Sequence, residues 1–146
     1  MRFEESTLPL RVRPNDLDSL GHVNNATVLE YLEAGRWAWM EEHALRRDSR
    51  ILPVTSRIEV DYRREILPQE VLVRTVLEPS LSEDSEDEVS YRVYFRQRIL
   101  LKQGEQVAAE ARVQVAFIDS VERTLRTLQD YLSVARVPAS GRSEKR

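Results

Sequence analysis

The sequence contains no cysteine. That excludes disulfide crosslinks, thiolate metal ligands and cysteine nucleophiles together. Only two histidines occur, His22 and His43, so one chain cannot build a three-histidine metal centre. The four glycines, Gly21, Gly35, Gly104 and Gly141, are scattered, and no glycine-rich phosphate loop can be written from them. No apolar run approaches the roughly 20 residues that span a bilayer. Basic charge is not in excess: 22 Lys and Arg stand against 25 Asp and Glu, a net charge of −3. That balance speaks against nucleic-acid binding and against a polybasic membrane anchor. Met1-Arg2-Phe3-Glu4-Glu5 leads into no apolar stretch of the secretory kind. A cytoplasmic location is the expectation. Neither a metal nor another cofactor is expected, which leaves any chemistry to carboxylates, one or two histidines, hydroxyls and backbone groups.

What is present fits one domain. The chain has 146 residues, 41% of them apolar, enough for a single core. The domain is expected over residues 1–137, with a flexible tail over 138–146. Leu8, Leu10 and Val12 alternate with Arg11 and Arg13, a strand pattern ended by Pro14. From Asn25 to Arg47 the pattern is helical. Val28, Leu32, Gly35 and Trp39 share one face, and Asn24 or Asn25 caps the start. Gly35 on that apolar face predicts close approach of another element.

After Pro53 the period becomes two. Strands are predicted over Ser56–Arg64, Val71–Leu77, Val89–Leu101 and Gln106–Ile118, with a turn at Pro68-Gln69-Glu70 and a hairpin at Lys102–Glu105. The acidic run from Glu83 to Glu88 reads as a solvated loop. A short helix over Leu125–Ala135 completes the pattern. A strand, a long helix, four antiparallel strands in a meander and a short helix make an α+β arrangement, one helix against one sheet. The uncovered sheet face, read as partly apolar, predicts association with another copy.

The most informative stretch is Asn15-Asp16-Leu17-Asp18-Ser19-Leu20-Gly21-His22-Val23-Asn24-Asn25, just ahead of the long helix. A helix N-terminus presents unpaired amides and partial positive charge, which can polarise a carbonyl. A carboxylate beside it can attack that carbonyl or activate water. Acyl transfer or hydrolysis is one reading of these residues. A loop whose Asp, Ser and Asn side chains only satisfy backbone donors is the other.

Asp16-Leu17-Asp18-Ser19-Leu20-Gly21-His22-Val23-Asn24-Asn25, followed by Tyr31-Leu32-Glu33-Ala34-Gly35-Arg36, resembles the signature of hot-dog-fold acyl thioesterases. The nearest group is the 4-hydroxybenzoyl-CoA thioesterase family, with its short bacterial acyl-CoA thioesterases. Ile58-Glu59-Val60-Asp61-Tyr62-Arg63-Arg64 also resembles that family's second strand, and the likeness extends over about Leu8–Leu132. It implies a hot-dog fold, a long helix wrapped by an antiparallel sheet of about five strands. It implies hydrolysis of an aliphatic or aromatic acyl thioester, carried on CoA or on an acyl carrier protein, by a homodimer or homotetramer whose sites form between subunits.

Residue by residue, the resemblance makes Asp18 the nucleophile or general base. It puts the carbonyl-polarising helix amide at or next to Asn25, and it gives His22 a catalytic part. Gly21, Val23 and Asn24 fall at positions that shape the turn and the substrate pocket. The chain departs from the family at Val28, commonly Tyr, and from the related acyl-ACP enzymes at Leu20, commonly Asn. The second departure favours a mechanism centred on Asp18. Hot-dog hydratases or dehydratases, which pair Asp with His at longer spacing, and a non-catalytic acyl-thioester binder are the alternative functions. Asp16 reads as structural, His43 as a helix-end cation, Trp37 and Trp39 as packing. Arg63, Arg64, Arg92, Arg96 and Arg98 are candidate contacts to CoA phosphates that the sequence alone does not rank.

Overall fold

The computed structural model describes residues 3–79, 90–102 and 106–137. The acidic run, the Gly104 hairpin and the tail over 138–146 lie outside the described residues. Strand β1 (Ser6–Arg11) leads through a single 3-10 turn at Pro14–Asp16 to helix α1 (Asn25–Glu42). Then come β2 (Ile51–Tyr62), β3 (Glu70–Leu77), β4 (Arg92–Leu101), β5 (Val107–Asp119), the two-residue β6 (Leu125–Arg126) and helix α2 (Leu128–Ala135). The sheet is antiparallel, in the order β1-β3-β4-β5-β2, with β6 beside the end of β5.

This order corrects the expected meander. Only β3, β4 and β5 run as neighbours in sequence, while β2 crosses to the far edge and pairs with β5 from Ile51↔Asp119 to Tyr62↔Ala109. Its start also lies earlier than expected and takes in Pro53. An edge strand tolerates proline because one side of it donates no ladder bonds.

The inner face of the sheet packs on α1. Val71, Val73, Phe95, Ile99, Ala109, Ala111, Val113 and Val115 meet Val28, Leu32, Trp39 and Met40 in one core. The close approach expected at Gly35 is present. A Cβ there would lie 2.5 Å from Val73 Cγ1 and 3.0 Å from both Thr75 Oγ1 and Gln97 Nε2. A buried polar network fixes the helix over the sheet at this point. Gln97 donates to the Leu32 carbonyl (2.8 Å) and to Thr75 Oγ1 (2.9 Å), and accepts from Arg36 at 2.9 Å.

Helix α1 ends five residues before the predicted Arg47. Ala44 adopts φ 56, its amide returns to the Glu41 carbonyl (3.0 Å), and the Leu45 amide reaches Met40 (2.9 Å). That is a Schellman closure on a residue with a Cβ, where glycine or asparagine is usual. Without either residue the sequence offers no stop signal. At the other end of the core, Thr127 and Asp130 form a reciprocal capping box on α2, and Tyr131 stacks on Phe117 at 4.9 Å.

The outer sheet face is charged rather than apolar. Arg112 and Arg96 both pair with Glu78, and Arg98 lies across from Arg74 and Glu110. Bare apolar surface on this face is therefore no reason for association.

Candidate active site

The loop ahead of α1 is held at three points. Leu17 and Val23 form a two-residue bridge that closes the turn over Asp18–His22, with Gly21 at φ 81. The Val23 amide bonds the Ile66 carbonyl (2.9 Å), which ties the loop to the chain after β2. Asp16, buried at 4% exposure, accepts from the Tyr31 hydroxyl (2.6 Å) and the Arg13 amide (3.0 Å). Burial pushes the Asp16 carboxyl up, but those bonds and the Arg13 charge more than offset it and hold it below the usual aspartate range. Burial first, and then the same bond, raise Tyr31 well above an ordinary tyrosine. Asp16 is structural, as its sequence context suggests.

Asp18 is exposed at the rim of this turn. Its Oδ1 accepts from the His22 amide (3.1 Å) and the Leu20 amide (2.9 Å). Those bonds, the His22 amide first, hold the carboxyl below its ordinary value of 3.8. The carboxylate is thus ionised at neutral pH. Both bonds fall on Oδ1, so Oδ2 remains available to a ligand. The capping reading of the loop holds for Asp18 Oδ1, and the chemical reading concerns Oδ2.

The helix start is partly used. Asn24 Oδ1 caps the Ala26 amide (2.8 Å), and the Val28 amide bonds the Asn24 carbonyl (3.1 Å). No acceptor for the Asn25 or Thr27 amide occurs among the described residues. His22 turns its ring toward Glu65, with Nε2 3.1 Å from Oε2. The Tyr62 hydroxyl donates to the Asn25 carbonyl at 3.1 Å and ties the end of β2 to the first turn of α1.

These groups surround one cleft of about 300 Å3. Asp18, His22, Val23, Asn25 and Val28 form one wall, Tyr62 to Ile66 another, and Ala108 and Ala109 the floor. Four of the six residues singled out in the sequence, Asp18, His22, Val23 and Asn25, line it. Gly21 makes the turn and Asn24 makes the cap, and neither lines the cleft. Tyr62, Glu65, Ile66 and Ala108 were missed. The only local signal for them was the Tyr62-Arg63-Arg64-Glu65 string closing an alternating strand.

A larger groove, of about 400 Å3, runs over the charged outer face, and no helix start borders it. Among the described residues no three His, Asp or Glu side chains gather as a metal site, and no helix is long and apolar enough to cross a membrane.

A helix wrapped by an antiparallel sheet, with a carboxylate and a helix start on one cleft, is the α+β arrangement of the hot-dog fold. The chain belongs to the thioesterase-like superfamily, whose family model matches residues 12–140. A putative acyl-CoA thioesterase from Xanthomonas campestris is 32% identical, over 79% of this chain and 93% of that one, with a TM-score of 0.65. Two more distant structures share the fold. A 1,4-dihydroxy-2-naphthoyl-CoA thioesterase from Synechocystis is 15% identical over 89% of this chain and 93% of that one, TM-score 0.75. The protein SAV2348 from Staphylococcus aureus, solved in complex with CoA, is 14% identical over 91% and 82%, TM-score 0.73. No curated protein sequence matches the chain.

Proposed function

We propose that the protein hydrolyses an acyl thioester, with CoA as the thiol carrier, to a free acid and a thiol. The observation that carries this reading is the placement of the ionised Asp18 carboxylate and the start of α1 at Asn25 on the same cleft. The thioester carbonyl oxygen receives the Asn25 amide, whose donor and helix-end dipole stabilise the negative charge that develops there. Asp18 acts on the carbonyl carbon as nucleophile, or on water as general base. Either role falls to Oδ2, the oxygen that neither the Leu20 nor the His22 amide occupies, and in the nucleophilic route it forms an acyl-aspartyl anhydride. The thiolate then departs and water hydrolyses the acyl-aspartyl anhydride. His22, paired with Glu65 at 3.1 Å, handles the protons of that second step.

The proposal includes a second copy of the chain. Strand β2 is 12 residues long and among the described residues pairs only with β5, which leaves its other edge without a partner strand among them. Such an edge is a template for another chain, and a copy along it would close the cleft on the Tyr62 side. The supporting resemblances are the family membership and the CoA carried by the Staphylococcus aureus structure.

The test is a thiol-release assay across short, medium, long and aromatic acyl-CoAs, with an enoyl-CoA hydration assay alongside. Release from at least one class, without hydration, is the expected result. Water addition without thiol release, or binding without turnover, would replace this reading with one of its alternatives.

A further inference from the structure

We propose that Arg64 selects phosphate-bearing thioesters by holding a phosphate of the substrate's carrier arm at the mouth of the cleft. The inference rests on the thioesterase reading above and names the substrate feature that the same site recognises. It follows from what each candidate arginine touches.

Arg96 and Arg98 belong to the outer face, where Arg96 pairs with Glu78 and Arg98 faces Arg74 and Glu110 across the ladder. Arg92 opens β4 opposite Ala116 and does not line the cleft. Of the five candidates, only Arg63 and Arg64 line it. Arg63 is already committed, giving Glu110 Oε2 two bonds of 2.7 and 3.1 Å. Arg64 is exposed, and its guanidinium has no carboxylate within ion-pair distance among the described residues. Its backbone is anchored all the same. The Arg63 and Arg64 amides both bond the Ala108 carbonyl, at 2.8 and 3.1 Å, so the Arg64 side chain stands on a stem fixed to β5.

Charge and size point the same way. The chain is acidic overall, and the cleft already carries the Asp18 and Glu65 carboxylates. A polyanionic carrier arm meets repulsion there unless a free cation receives it, and the guanidinium fork matches phosphate oxygens in pairs. A cleft of about 300 Å3 takes the thioester end of such a substrate. That leaves the phosphates at the rim, where Arg64 lies.

The experiment compares kcat and KM for wild type, Arg64→Ala, Arg64→Lys and Arg98→Ala. One acyl group is presented on CoA, on 4′-phosphopantetheine and on pantetheine. Arg64→Ala is expected to raise KM for acyl-CoA about tenfold, the loss of one charge-assisted phosphate contact, while KM for acyl-pantetheine stays put. Arg64→Lys restores part of the loss, and Arg98→Ala matches wild type throughout. A parallel loss on phosphopantetheine assigns the phosphate that CoA shares with carrier proteins; a loss on CoA alone assigns its nucleotide phosphates. An equal loss on acyl-pantetheine, or no loss on any substrate, overturns the proposal. If wild type hydrolyses none of the three, the thioesterase reading fails instead. Calorimetric titration with CoA alone then decides about Arg64: weaker binding by Arg64→Ala sustains its role, while equal binding, or none by wild type, ends it.

Discussion

The two oxygens of one carboxylate at the tip of the first loop are placed differently. Asp18 Oδ1 closes its own turn through the Leu20 and His22 amides, which hold the carboxyl below its ordinary value, and Oδ2 is the oxygen the proposal assigns to the thioester. Asp119, at the end of β5, is purely architectural. Fully buried, it accepts from the Glu122 and Val121 amides and from Arg50 and Arg126. The Glu122 amide leads the bonds that hold it at about 2. Its ordinary value is 3.8, so the native state gains stability from Asp119 at pH values above 3.8 and loses it as pH falls from there toward 2. Thermal melts of wild type are expected to drop in Tm across that window, and Asp119→Asn, with a lower Tm at neutral pH, is expected to flatten the drop. An unchanged slope in the variant would remove Asp119 from the account. At this scale the sequence was legible where the site is contiguous. Asp18, His22, Val23 and Asn25 fall within eight positions and arrive on the cleft together. Glu65 and Ala108 come from remote segments, and nothing in their local sequence says that Glu65 meets His22 or that Ala108 lines the same cleft.

The long helix shows why periodicity finds a face more surely than an end. Val28, Leu32, Gly35 and Trp39 were legible as the buried stripe, because a repeat of 3.6 residues is written directly into the chain. The stop at Glu42 was not, because Ala44 takes the left-handed conformation that glycine usually marks. Ala44→Gly should relieve the Cβ strain and raise stability by about 1 kcal/mol, read from chemical denaturation. A destabilised variant would mean that the Ala44 side chain contributes more than its backbone strain takes away. Gly35 gives the opposite case. A methyl group there meets Val73, Thr75 and Gln97 within 3.0 Å or less. Gly35→Ala is therefore expected to destabilise by about 1–3 kcal/mol, the usual range for overpacking a core, despite alanine's better helix propensity. A neutral or stabilised Gly35→Ala would show that the helix can lift from the sheet without loss.

For the whole molecule, the two-layer arrangement was legible and the strand order was not. Alternation states which face of a strand is buried but not which strand lies beside it. The crossing of β2 to the far edge is set by its pairing with β5, and no short-range signal carries that information. Its consequence is a 12-residue strand with one edge, beside the cleft, that no strand among the described residues covers. Light scattering is expected to give at least twice the 17.0 kDa chain mass. A monomer at micromolar concentration that still hydrolyses thioesters would remove the second copy from the proposal.

The central claim is that Asp18 is the chemical group of a thioesterase site. Its most direct test is thiol release from the preferred acyl-CoA by wild type and Asp18→Asn, with circular dichroism on both. The asparagine can still accept the Leu20 and His22 amides, so the turn and the fold should persist. The predicted result is an unchanged spectrum with turnover reduced about a hundredfold or more. Turnover within a few-fold of wild type in a folded Asp18→Asn would contradict it.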